Sequence, residues 1–91
     1  SYVKPENLLQ EVLSIWKKKD KDLVKEFYNL ALYDYEKGTE LEELKTILND
    51  YQDKEMYLEC AGINLAIQYI EFLIYLEIIK HINKINDNST N

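Results

Sequence analysis

The sequence predicts an all-α protein, a small three- or four-helix bundle with a long apolar C-terminal helix. Three observations lead there. Two glycines and one proline in 91 residues leave few of the turn residues that strands and hairpins require. Apolar residues recur at spacings of three and four instead of alternating. Residues 61–85 form a stretch broken before Lys80 only by Asn64, Gln68, Glu71 and Glu77. Wound at about 100° per residue, Asn64, Gln68 and Glu71 make one narrow polar stripe on an otherwise apolar rod. Such a helix must be surrounded, by its own chain or by a second copy.

Each element has its own signal. Pro5 suits a first helical turn and Glu6 complements the helix dipole there. Leu8, Leu9, Val12, Leu13 and Trp16 carry a first helix over about 5–18. The polar run 17–22 reads as a turn, with Asp20 or Asp22 as the N-cap of a second helix. That helix presents Leu23, Phe27, Leu30 and Ala31, with Val24 and Tyr28 alongside, and stops at Lys37 and Gly38. Thr39 and Glu42 fit a capping box, Thr at the N-cap and Glu at N3. A third helix follows with Leu41, Leu44, Leu48 and Tyr51. The polar residues 49–55 predict a break capped by Asp53, opening a fourth helix over about 54–86. A seven-residue apolar spacing through Leu44, Tyr51, Leu58 and Leu65 also allows one unbroken helix, but its partner row fails at Glu55. Gly62, beside Cys60 and Ala61, marks a place where another helix approaches closely or where the long helix bends. One domain over residues 1–86 and a disordered polar tail over 87–91 complete the reading.

Composition removes more functions than it suggests. The single cysteine excludes an intramolecular disulfide framework and fits a reducing, cytoplasmic compartment. The charged start lacks a signal peptide, as a processed secreted chain also would. Glu71 and Glu77, and a longest apolar run of five residues (72–76), argue against a membrane span. The net charge is −6, and every basic residue other than His81 is lysine. Without arginine the chain lacks the bidentate fork that reads guanine and clamps phosphate, so nucleic acid is a disfavoured partner. Lys17, Lys18, Lys19, Lys21 and Lys25 cluster nonetheless, and keep a phosphate-binding alternative open against their reading as a solvated turn. Residues 34–59 are the opposite, with nine acids against three lysines.

No catalytic constellation emerges. Cys60 and His81, the only residues of their kinds, stand about 31 Å apart if one helix carries both, too far for a nucleophile–base pair. Cys60 reads as a small core residue and His81 as a cation at a helix end. Glu77 and His81 are four apart, not the three of a carboxylate-bundle metal step, and Glu55 and Glu59 read as surface. The sequence therefore predicts no enzyme, no metal and no cofactor. It predicts a protein-binding module, of the small acidic inhibitor kind (immunity protein, antitoxin, or viral or plasmid-borne antagonist), for a basic partner. The contact set is Tyr33, Asp34, Tyr35, Glu36, Glu40, Glu43, Asp50, Asp53 and Tyr57, because tyrosine joins large contact area to a polar tip. The surplus apolar surface of the last helix predicts a homodimer through Tyr69, Phe72, Leu73, Leu76 and Ile79. A structural subunit whose last helix builds an oligomer is the alternative.

Overall fold

The computed structural model describes residues 5–89 as four helices: α1 (Pro5–Leu13), α2 (Lys18–Glu36), α3 (Leu41–Asp53) and α4 (Tyr57–Ser89). At 33 residues α4 is roughly 50 Å long and sets the long axis of a 56 × 29 × 20 Å molecule. Helix α2 packs against it most extensively, α3 less and α1 least. The core is Leu13, Val24, Tyr28, Ala31, Leu44, Ile63, Ala66, Ile67 and Ile70. Every α4 member of that set lies within residues 63–70, so the three shorter helices wrap the N-terminal half of the post. Asn64, Gln68 and Glu71 face water, as their stripe predicts.

Helices α2 and α4 approach closely at Gly62. A Cβ built there would meet Tyr28 N at 2.8 Å and Phe27 Cβ at 2.9 Å, and would press harder still on the Val24 carbonyl oxygen. The missing side chain lets the α2 backbone lie directly on α4. Edge-on contact between Phe27 and Tyr51, with ring centroids 5.5 Å apart, ties α2 to α3. Across the α3–α4 face Lys45 Nζ reaches Glu71 Oε2 at 3.3 Å, and within α3 it meets Glu42 Oε1 at 3.5 Å. The hydrogen bond to Glu71 and the charge of Glu42 hold the Lys45 ammonium above its ordinary pKa.

Both long-helix junctions use one device. At the end of α2, Gly38 takes φ 113°, the Gly38 N–H donates to Tyr35 O at 3.1 Å and the Thr39 N–H to Asp34 O at 2.9 Å. At the end of α3, Glu55 takes φ 57°, its N–H donates to Gln52 O at 2.9 Å and the Met56 N–H to Tyr51 O at 3.0 Å. These are paired Schellman bonds, which satisfy carbonyls the helix leaves open. The C-cap lysine folds back over a tyrosine at each end: Lys37 over Tyr33 at 5.4 Å, Lys54 over Tyr51 at 5.8 Å.

Several boundaries depart from the sequence reading. Helix α1 ends at Leu13, not near 18, because the Ser14 hydroxyl donates to Glu11 O at 2.6 Å and the next amides make tightened three-residue bonds. The turn therefore occupies residues 14–17, and the lysine run opens α2. Lys17 is the N-cap and Asp20 lies in the first helical turn; neither Asp20 nor Asp22 caps. The side chains of Leu8 and Leu9 lie outside those described. The buried ridge of α2 is Val24, Tyr28 and Ala31, while Leu30 is 49% exposed, so the apolar face is rotated from the expected one. Glu40, with extended backbone at ψ 152° and no side-chain cap bond, is the N-cap of α3, which displaces the Thr39–Glu42 capping box. The predicted break between α3 and α4 is present, but it falls at Lys54 and Glu55, and Asp53 ends α3 instead of capping α4. Helix α4 begins at Tyr57 and runs through Ser89, covering part of the expected tail; residues 90–91 lie outside those described.

Candidate functional site

The buried nucleophile is enclosed. Cys60 Sγ sits 3.9 Å from Leu48 O, and burial, helped by the nearby Glu59 charge, pushes the thiol pKa up. It is neutral at physiological pH and packs as a small apolar group. His81 is exposed on the same unbroken helix, about 31 Å away along the axis. Among the described residues, no group of three or more His, Cys, Asp or Glu converges on a metal-sized site.

Two concave surfaces stand out among the described residues. The smaller, about 140 Å³, lies between α2 and α3 and is lined by Phe27, Leu30, Ala31, Asp34, Leu44, Tyr51 and Ile63. Its floor is core, Leu30 is half-exposed at its rim, and Asp34 is the acid in the lining. Helical periodicity sets Glu43 and Asp50, seven apart, on one edge of α3 beside Ile47, away from the Lys45 edge that meets α4. Among the described residues, no ion pair involves Asp34, Glu43 or Asp50.

The structure disperses the rest of the expected contact set. Tyr33, Asp34, Glu36, Glu40, Glu43, Asp50, Asp53 and Tyr57 are exposed, and Tyr35 is half-buried. They span the C-terminal end of α2, which lies beside the free half of α4, all of α3, and the start of α4 at the other end, so they run the length of α3 and do not make one flat face. Lys17, Lys18, Lys19 and Lys25 are exposed at the N-terminal end of α2, the end that lies beside the start of α4 and the end of α3. That helix thus joins a basic end to an acidic one.

The larger surface, about 520 Å³ and open, runs along the free half of α4 beside Tyr35, with Leu73, Ile74, Glu77, Ile78, His81 and Ile82 as its other walls. Among the described residues, the post has no core position beyond Ile70. Leu73, Ile74, Tyr75, Leu76, Ile78, Ile82 and Ile85 are each 37–60% exposed. Of the expected dimerisation residues, Tyr69, Phe72 and Ile79 are half-buried, and Leu73 and Leu76 belong to this exposed set. Sequence reasoning passed over Ile74, Ile78, Ile82 and Ile85, although isoleucines spaced four, four and three apart mark one helical face.

Over Tyr57–Asn86, α4 is long and apolar enough to cross a membrane by length and composition, and 28% of its most apolar window is buried within the protein. No known protein family, curated protein or solved structure matches the chain.

Proposed function

We propose that this protein is a non-catalytic protein-binding module that takes a basic, apolar-anchored segment of its partner in the α2–α3 groove. One observation carries the reading: a core-floored groove with a half-exposed Leu30 opens within the most acidic part of the chain, beside an Asp34 that has no ion-pair partner among the described residues. Apolar floors provide affinity, and uncompensated acids at the rim provide steering and selection for a positive partner. A small inhibitor of a basic protein fits this description. The experiment is affinity capture from the source organism, followed by chemical cross-linking of the captured complex. Cross-links from the partner to the α2–α3 rim, and loss of capture with Leu30→Glu/Asp34→Lys, support the reading. Cross-links elsewhere, or unchanged capture by that variant, sink it.

An assembly role is the second reading, favoured by the exposed apolar half of α4. A membrane-spanning role is less well supported. Residues 73–86 extend only about 21 Å, short of the roughly 30 Å hydrocarbon core, and the rest of the post is covered by α1–α3.

A further inference from the structure

We infer that the free half of α4 is the seat of a second copy of this chain, docked antiparallel along the face made by Ile74, Ile78, Ile82 and Ile85. The inference rests on the assembly reading and adds its geometry. At about 100° per residue these four side chains fall within an arc of roughly 80°, with Lys80 and Lys84 pointing away from it and Glu77 and His81 flanking its Ile74 edge, where they line the same groove. Within the arc itself no residue from Ile74 to Ile85 carries a formal charge, and antiparallel pairing sets Glu77, at the edge, beside the partner's His81. The face stops where the Lys45–Glu71 ion pair closes the α3–α4 contact.

Orientation follows from shape and charge. The three shorter helices all cover the same end of α4. Parallel pairing sets two bodies side by side, each including the stretch 34–59 with its nine acids and three lysines. Antiparallel pairing overlaps only the free halves and sends the bodies to opposite ends. Its two-fold axis falls near residues 79 and 80, placing Ile74 opposite the partner's Ile85 and Ile78 opposite the partner's Ile82. The overlap of about 21 Å is short, so the dimer belongs to the weak, micromolar class. A two-fold contact of this kind closes on itself and forms no filament.

The test combines mass and distance. Sedimentation equilibrium from 1 to 200 µM should show a monomer–dimer equilibrium, and Ile78→Glu/Ile82→Glu should weaken it at least tenfold while helicity by circular dichroism stays intact. Both positions are about half exposed, so that variant retains its core. With Cys60→Ser and Asn64→Cys, paired spin labels should lie roughly 45–50 Å apart along the axis. A dimer with labels within about 20 Å overturns the antiparallel arrangement and leaves assembly standing. A dimer that survives the double glutamate variant overturns the face. A protein monomeric at 200 µM overturns both, and its partitioning onto phosphatidylcholine vesicles then identifies lipid as the occupant.

Discussion

Gly62→Ala separates tertiary packing from helix propensity by the sign of its effect. In an isolated helix the change stabilises by about 1 kcal/mol, because alanine is the better helix former. In this fold the added methyl has nowhere to go. Two of the atoms it meets are α2 backbone, Val24 O and Tyr28 N, and the third, Phe27 Cβ, is fixed to the same backbone. None of them relieves the clash by changing rotamer, so α2 as a whole must lift from α4. Overpacking of this kind costs about 1–3 kcal/mol, and more where backbone must move. Because backbone must move here, the cost lies at about 2–3 kcal/mol, and set against the propensity gain the net loss is about 1–2 kcal/mol. For a domain of this size that lowers Tm by roughly 5–15 °C. Urea and thermal unfolding followed at 222 nm measure it, at a fixed low concentration that holds any self-association constant. A variant as stable as the parent, or more so, would refute the direct seating of α2 on Gly62.

The two Schellman junctions predict opposite responses. Glu55→Gly removes the cost of a left-handed residue carrying a side chain and should stabilise by about 0.5–1 kcal/mol, whereas Gly38→Ala should destabilise by about 1 kcal/mol although nothing crowds its Cβ; both are read from denaturant midpoints. Leu44→Ala, at a side chain only 1% exposed, should cost about 2–5 kcal/mol in the same assay. Cys60 should react with a thiol reagent at neutral pH far more slowly when folded than in denaturant, since burial both shields it and raises its pKa. The Lys45–Glu71 tether should be unaffected between pH 6 and 9. Because the folded Lys45 pKa is raised, its contribution is complete below the lysine's ordinary value of 10.5 and is lost as pH rises through the higher folded value; Lys45→Met should erase that alkaline dependence in a pH series of melts.

What the sequence shows plainly is whatever depends on short-range periodicity. The water-facing stripe of Asn64, Gln68 and Glu71, the stop at Gly38, the close approach at Gly62 and the post itself all follow from spacing and residue size. The misplaced boundaries share another cause. A run of lysines is a poor helix opening by the dipole argument, yet α2 opens on it, since its buried residues Val24, Tyr28 and Ala31 hold the helix to α4. Glu55 gives no left-handed signal because glutamate seldom takes that conformation; the backbone bonds of its turn impose it. Rotation of α2, which exposes Leu30 and opens the groove, depends on which helix it meets. An apolar pattern broad enough to include both Leu30 and Val24 leaves that choice to tertiary contact. The division of α4 into a covered and an uncovered half is likewise a matter of helix lengths and of where the partners end.

That division is the central claim, and amide hydrogen exchange along α4 tests it most directly. At low micromolar concentration, amides over residues 61–70 should exchange only through global unfolding, while those over 76–86 exchange orders of magnitude faster. Raising the protein to 200 µM should slow the second group selectively. Protection that is uniform along α4 in dilute solution, or a free half whose exchange ignores concentration, would contradict the account.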